Sequence, residues 1–179
     1  MTQFTFYTQE NSEGKRKALL EGIQKGYGFV PNLFSYMAEA PTTIEAYTAL
    51  NELVGKTSFS PAQQQVALLA ASVENSCDFC ITAHRAMGKM NKSNQQTLDA
   101  LHSGSEINDP SDRALATYVR KVIEQRGFMN DEDMQEFMNA GFTKQQVIET
   151  VLIVSIKTLS NYINHVTNPE PNKELLGML

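Results

Sequence analysis

The stretch Thr143-Lys-Gln-Gln-Val-Ile-Glu-Thr-Val-Leu-Ile-Val-Ser-Ile156 decides the fold class. Taken alone, its second half, Val151 to Ile156, is rich in β-branched residues and reads as a buried strand. Its surroundings argue otherwise. Thr143-Lys-Gln-Gln146 is a capping box, in which Thr143 and Gln146 satisfy each other's backbone amides at a helix start. Ile148, Val151, Leu152, Ile156, Leu159, Tyr162, Ile163 and Val166 then recur at spacings of three and four for about five turns. That is too long for an ordinary strand. The sequence therefore predicts one long buried helix here, and with it an all-α chain.

Working outward, the remaining segments read the same way. Ser60-Pro-Ala-Gln63 is a second capping box, with proline at the first helical position. Val66, Leu69 and Val73 follow at helical spacing. Pro41 to Leu53, Lys92 to Leu101, Ser111 onward to a stop at Gly127, and Asp131 to Asn139 are further helices, and Asn11 to Lys25 is an N-terminal one. The prediction is a single-domain bundle of about seven to eight helices over residues 1–179. Its core spans about 26–168, and a polar tail or short arm starts at Pro169. The stretches 64–84 and 145–165 both start from a capped glutamine pair and end in histidine at an offset of 81, which leaves an internal duplication open.

Composition sets outer limits. Hydrophobic residues are 41% and charged residues 20% of 179, which is globular and not disordered composition. The formal charge of −5 argues against nucleic acid as the main partner. No apolar run is long enough for a membrane span, and the start lacks a signal peptide's pattern, so a cytoplasmic location is expected.

The chemistry lies in Glu74-Asn-Ser-Cys77-Asp-Phe-Cys80-Ile-Thr-Ala-His84, which holds both cysteines of the chain. A pair three apart closes almost no loop, so it is a poor structural staple. On one helical turn the two thiols come within disulfide reach. With Asn75 or Ser76 as N-cap, both would sit in the first turn, where backbone N–H groups and the helix dipole favour thiolates. His84 follows Cys80 by one turn, at the spacing of a base. Glu74 could return across the turn to orient the imidazole. Three readings remain open: a redox couple, a zinc site completed by His84 and His165, and inert core cysteines on the stripe 66, 69, 73, 77, 80, 84.

This motif, after a capped glutamine-rich helix, resembles the carboxymuconolactone decarboxylase superfamily and its alkylhydroperoxidase-D-like branch. Phe29-Val-Pro-Asn-Leu-Phe34 with Ala40-Pro41 resembles the segment before that family's motif helix. Leu159-Ser-Asn-Tyr-Ile-Asn-His165 resembles the late helix of one subgroup. The resemblance implies an all-helical fold assembled as homotrimers or hexamers. It also implies a thiol peroxidase or disulfide oxidoreductase of antioxidant defence, with no cofactor or resident metal. In that scheme Cys80 attacks a hydroperoxide, Cys77 resolves the sulfenic acid to a disulfide, His84 carries the proton, and a dithiol or disulfide reductant restores the pair. Gln65, His165 and Asn161 are supporting candidates.

Two departures stand out. Gln65 occupies the place of the family's relay glutamate, and Asp78-Phe79 stand where the family carries a histidine between the cysteines. The relay is then rebuilt from Glu74, or left to His84 and water, or the peroxidase activity is weak. Other functions consistent with the sequence are a cofactor-free lactone decarboxylase and a non-enzymatic redox-sensing or zinc-stabilised assembly protein.

Overall fold

The computed structural model describes residues 4–179, and among these every regular element is a helix. In chain order they are α1 (Gly14–Tyr27), α2 (Asn32–Met37), α3 (Pro41–Val54), α4 (Pro61–Glu74), α5 (Asp78–Met90), α6 (Gln95–Ser103), α7 (Pro110–Glu124), α8 (Asp131–Asn139), α9 (Lys144–Thr167) and α10 (Lys173–Leu176). The sequence accounts for eight of the ten; α2 and α10 are additional. The supposed polar tail folds back as α10 and buries Leu175 against α5.

The core is organised around α4, whose residues from Gln64 to Ser72 are all buried. Its small side chains, Ala67, Ala70, Ala71 and Ser72, let α5, α6, α7 and α9 pack close around it. Both capping boxes are formed. Gln63 N–H donates to Ser60 Oγ and Ser60 N–H to Gln63 Oε1 at 3.2 and 3.0 Å, and Thr143 and Gln146 do the same at 3.2 and 2.9 Å. Such caps are worth about 1 kcal/mol each. At the far end from the cysteines, Tyr118, Phe137 and Phe142 stack in series with ring centroids 4.2 Å apart, joining α7, α8 and the entry to α9.

The turn from α4 to α5 places the thiols. Ser76 N–H donates to Val73 O, and Cys77 N–H donates to Ser72 O at 2.9 Å each, with Ser76 left-handed at φ 55°. This is the bond pattern that closes a helix at a left-handed residue. Cys77 is thereby both the residue that seals α4 and the N-cap of α5, which corrects the expectation that Asn75 or Ser76 caps the motif helix. The chain breaks here, whereas α9 runs unbroken through the corresponding stretch, so the 81-residue pairing is not mirrored in the structure.

The rotation of α9 is a second correction. It is one long helix, yet much of the apolar stripe that announced it faces outward: Ile148 is 70%, Tyr162 55% and Val166 66% exposed. The buried face is Gln146, Thr150, Ile153, Ile156, Lys157, Ser160, Asn161 and Asn164. Polar residues lie inside because that face meets the thiols.

Candidate active site

Cys77 and Cys80 are free and buried. Asn164 reaches in from α9 and donates Nδ2 to both sulfurs, at 3.5 Å to Cys77 Sγ and 3.2 Å to Cys80 Sγ. One turn earlier, Asn161 Oδ1 accepts from Asn75 Nδ2 at 3.0 Å, tying the α4–α5 turn to α9.

His84 is buried, and both ring nitrogens are engaged. Nδ1 lies 3.0 Å from Gln65 Oε1 and Nε2 lies 2.9 Å from Lys157 Nζ. Gln65 Oε1 can only accept and the lysine ammonium can only donate. The proton of the neutral ring therefore sits on Nδ1, and Nε2 accepts from Lys157. Burial, reinforced by the lysine charge, holds His84 well below the usual imidazole range.

Lys157 is 1% exposed, and among the described residues it pairs with no carboxylate. A buried charge without a counter-charge is costly. The group placed to supply one is Cys80. A hydrogen bond from Cys77 pulls the Cys80 thiol down most; the Lys157 charge and hydrogen bonds from Lys157 and Ser160 add to this, against an opposing effect of burial. Cys77 moves the other way, because it gives its proton toward Cys80 and is itself buried beside that charge. A negative charge on the pair is therefore favoured on Cys80 over Cys77.

Cys77, Cys80, His84 and Gln65 come together, with Asn161 beside them as a structural partner. Two expectations are corrected. Glu74 makes no hydrogen bond or ion pair among the described residues, and the imidazole it was to orient is already held by Gln65 and Lys157. His165 is exposed and stacks on Tyr162 with ring centroids 6.0 Å apart, so it does not join His84 in a zinc site. No cluster suited to a metal occurs among the described residues. Sequence reasoning missed Lys157 and Asn164. Their signal was present as Thr150, Lys157, Ser160, Asn161 and Asn164, polar residues repeating at helical spacing along an otherwise apolar helix.

Two hollows reach the thiols. One, about 220 Å³, touches Cys80 and His84 and is walled by Tyr27, Phe34, Tyr47, Leu68, Met87 and Leu175. The other, about 250 Å³, touches Cys77 and is lined by Ser76, Asp78, Asn164, His165 and Glu170 among others. A further hollow of about 330 Å³ between α7 and α8 holds the Lys121–Asp133–Glu136 ion pairs and no nucleophile.

Residues 41–120, which include the whole cysteine motif, match the carboxymuconolactone decarboxylase family. No curated protein matches the chain. Among solved structures the fold is similar to an alkylhydroperoxidase AhpD core, an uncharacterized peroxidase-related protein from Ralstonia eutropha JMP134. The TM-score is 0.84 at 21% identity, over 97% of this chain and 93% of that one. It is also similar to an uncharacterized peroxidase-related protein from Silicibacter sp. TM1040, with TM-score 0.79 at 19% identity over 99% and 98% of the two chains. A third is a variant of the debrominase Bmp8 in complex with 2,3,4-tribromopyrrole, with TM-score 0.77 at 15% identity over 99% and 96%. At these identities the likeness is one of fold, and it spans nearly the whole chain. The motif segment, residues 41–120, thus matches the carboxymuconolactone decarboxylase family, and the helices around it are arranged as in the AhpD-like structures.

Proposed function

We propose that the protein is a thiol-dependent peroxidase that reduces organic hydroperoxides through Cys80 and Cys77. The observation that carries this reading is the buried Lys157 cation set against two adjacent free thiols. In the resting state Cys80 is the thiolate and Cys77 the thiol. Cys80 Sγ attacks the outer oxygen of the hydroperoxide, the O–O bond breaks, and Lys157 protonates the departing alkoxide. Cys80 is then a neutral sulfenic acid, so the charge that kept Cys77 protonated is gone. Lys157, now a free amine, takes the Cys77 proton. Cys77 attacks Cys80 Sγ, and hydroxide leaves with that proton as water. Hydroperoxide and two thiols have become alcohol, water and a disulfide.

In this scheme His84 is not the base. It is a neutral acceptor that, with Gln65 behind it, holds the lysine in place. A relay glutamate at position 65 would bring a negative charge; here a neutral amide stands there, and the charged member of the chain is a cation. The apolar cavity at Cys80 favours an organic hydroperoxide. A dithiol returns the pair to its resting state, which suits the reducing cytoplasm. The outward apolar stripe of α9 supports assembly with further copies as a trimer or hexamer.

The test is free-thiol counting and mass analysis before and after one equivalent of cumene hydroperoxide. The expected result is loss of two thiols, a product two hydrogens lighter, and recovery with dithiothreitol. Cys80→Ser abolishes the reaction and Cys77→Ser leaves a sulfenic acid trappable by dimedone. Thiols inert in the folded protein, or lactone decarboxylation that survives loss of both, would overturn the proposal. A second reading rests on the aromatic walls of the Cys80 cavity: the same two electrons could remove bromide from a flat halogenated ring, as the name of the similar debrominase describes for that protein. Bromide release from a bromopyrrole, with disulfide formed in step, distinguishes it.

A further inference from the structure

The two thiols are approached from different sides, and the two approaches differ in chemistry. Cys80 lies at the apolar cavity and Cys77 does not reach it; Cys77 lies at the polar cleft and Cys80 does not reach that. Phe79, 5% exposed, borders both. Among the described residues, the charged side chains lining the cleft are Asp78 and Glu170, both exposed and both acidic. Asn164 also lines it, is 4% exposed, and keeps its Oδ1 without a hydrogen-bond partner. A buried acceptor left open beside a sulfur is a ready contact for an incoming N–H or S–H group.

We propose that the cleft over Cys77 is the docking site of the reductant, separate from the hydroperoxide cavity, and that it selects an uncharged or cationic thiol over an anionic one. The inference rests on the reading of Cys77 and Cys80 as a redox couple.

The chemistry favours this side. An incoming thiolate attacks Cys77 Sγ, a mixed disulfide forms, and the Sγ–Sγ bond breaks with Cys80 leaving as the thiolate. The leaving sulfur is the one that Lys157 and Ser160 stabilise, and a stabilised thiolate leaves faster. Attack on Cys80 would instead expel Cys77, the sulfur that holds its charge badly. A second thiol then attacks the mixed disulfide. Cys77 departs and takes one proton, the other restores the Lys157 ammonium, and the oxidised reductant leaves as its own disulfide. Two electrons and two protons have passed from the reductant to the protein. Because entry and exit do not share an opening, an alcohol product still in the apolar cavity does not block reduction.

The experiment begins from protein oxidised with diamide, so that it does not depend on any peroxide reaction. The disulfide is then reduced in excess 2-mercaptoethanol, cysteamine or 2-mercaptoethanesulfonate, with rates referred to thiolate concentration. The expected order has the neutral and cationic thiols ahead of the anionic one by about tenfold, a size typical of local steering. Asp78→Asn with Glu170→Gln, at two exposed positions, narrows the gap, and Glu170→Lys reverses it. A charge-blind order in the parent, or an order that these variants leave unmoved, overturns the inference. If diamide forms no disulfide, both this inference and the redox reading fail. If diamide forms it, the charge order holds, and hydroperoxide does not oxidise the thiols, the docking inference stands and the peroxidase reading alone fails.

Discussion

Replacing Lys157 by methionine removes the cation that faces Cys80 and leaves a side chain of similar length and volume. The parent lysine is buried, with Nζ 2.9 Å from His84 Nε2, so water screens its charge little. Two unit charges about 4 Å apart interact by about 4 kcal/mol at an effective dielectric of about 20, equivalent to about 3 pH units of ionisation. The hydrogen bond from position 77 is the larger influence on Cys80, and a Cys77→Ser background keeps a hydroxyl donor there. The expected displacement is therefore smaller, about 2 pH units upward. The assay is the pH dependence of iodoacetamide alkylation, read by mass, in a Cys77→Ser background where Cys80 alone reports. Reaction with cumene hydroperoxide at neutral pH should also fall by about a hundredfold, because the alkoxide loses its proton donor. Lys157→Arg should recover much of the alkylation midpoint. Thermal unfolding establishes that each variant is folded. A folded K157M protein whose alkylation profile superimposes on its parent's would refute the reasoning, since no buried cation would then be sustaining the thiolate.

Acid should destabilise the native state through His84. Burial and Lys157 hold it neutral in the fold, while the unfolded chain takes up a proton near pH 6.5. Its contribution is complete above that pH and is lost below it at about 1.4 kcal/mol per pH unit, and urea titrations from pH 7 to 5 should show this slope flattened in His84→Gln. Asn164→Leu deletes the donor shared by both sulfurs, and the Cys80 alkylation midpoint should rise by about 1 pH unit, the worth of a hydrogen bond to a charged acceptor. Gly88→Ala sets about 1 kcal/mol of helix propensity against a Cβ that would stand 2.8 Å from the fully buried Leu98. Overpacking of this kind costs about 1–3 kcal/mol, so the net effect in denaturant titration should be a loss of about 1 kcal/mol. Val151→Asp with Val166→Asp, on the outer stripe of α9, should lower the mass seen by sedimentation equilibrium while leaving the thermal transition of the subunit in place.

Helix boundaries were legible wherever a local signal is self-contained. The Ser60 and Thr143 boxes mark their helix starts, and the short helix Asp131–Asn139 is found with the bounds the sequence predicts. The rotation of α9 was not legible. Periodicity gives the spacing of a stripe but not the direction it faces, and in α9 the more apolar stripe is turned outward while Lys157, Asn161 and Asn164 turn in. The site divides along the same line. Cys77, Cys80 and His84 lie on one continuous motif, and their nearness follows from its spacing. Lys157 is remote in sequence from Cys80, and only the crossing of α5 and α9 brings the two together. Glu74 was the reverse case: close in sequence to the imidazole, yet without a hydrogen bond to either of the nitrogens it was to meet, which Gln65 and Lys157 hold instead.

Leu175 and Met178 complete the wall of the cavity around Cys80, held there partly by Asn172, whose Oδ1 accepts from the Asn32 N–H at 2.8 Å. This has a consequence for biosynthesis. The thiols leave the ribosome long before the segment that encloses them, and at about 5–20 residues per second the delay is on the order of ten seconds. During that interval neither α9 nor α10 is available, so the nascent Cys80 has no lysine beside it and no roofed cavity around it. It is then an ordinary, mostly protonated thiol. The lysine beside Cys80 and the walls around it are thus acquired together, late in synthesis, and a chain still being made has neither.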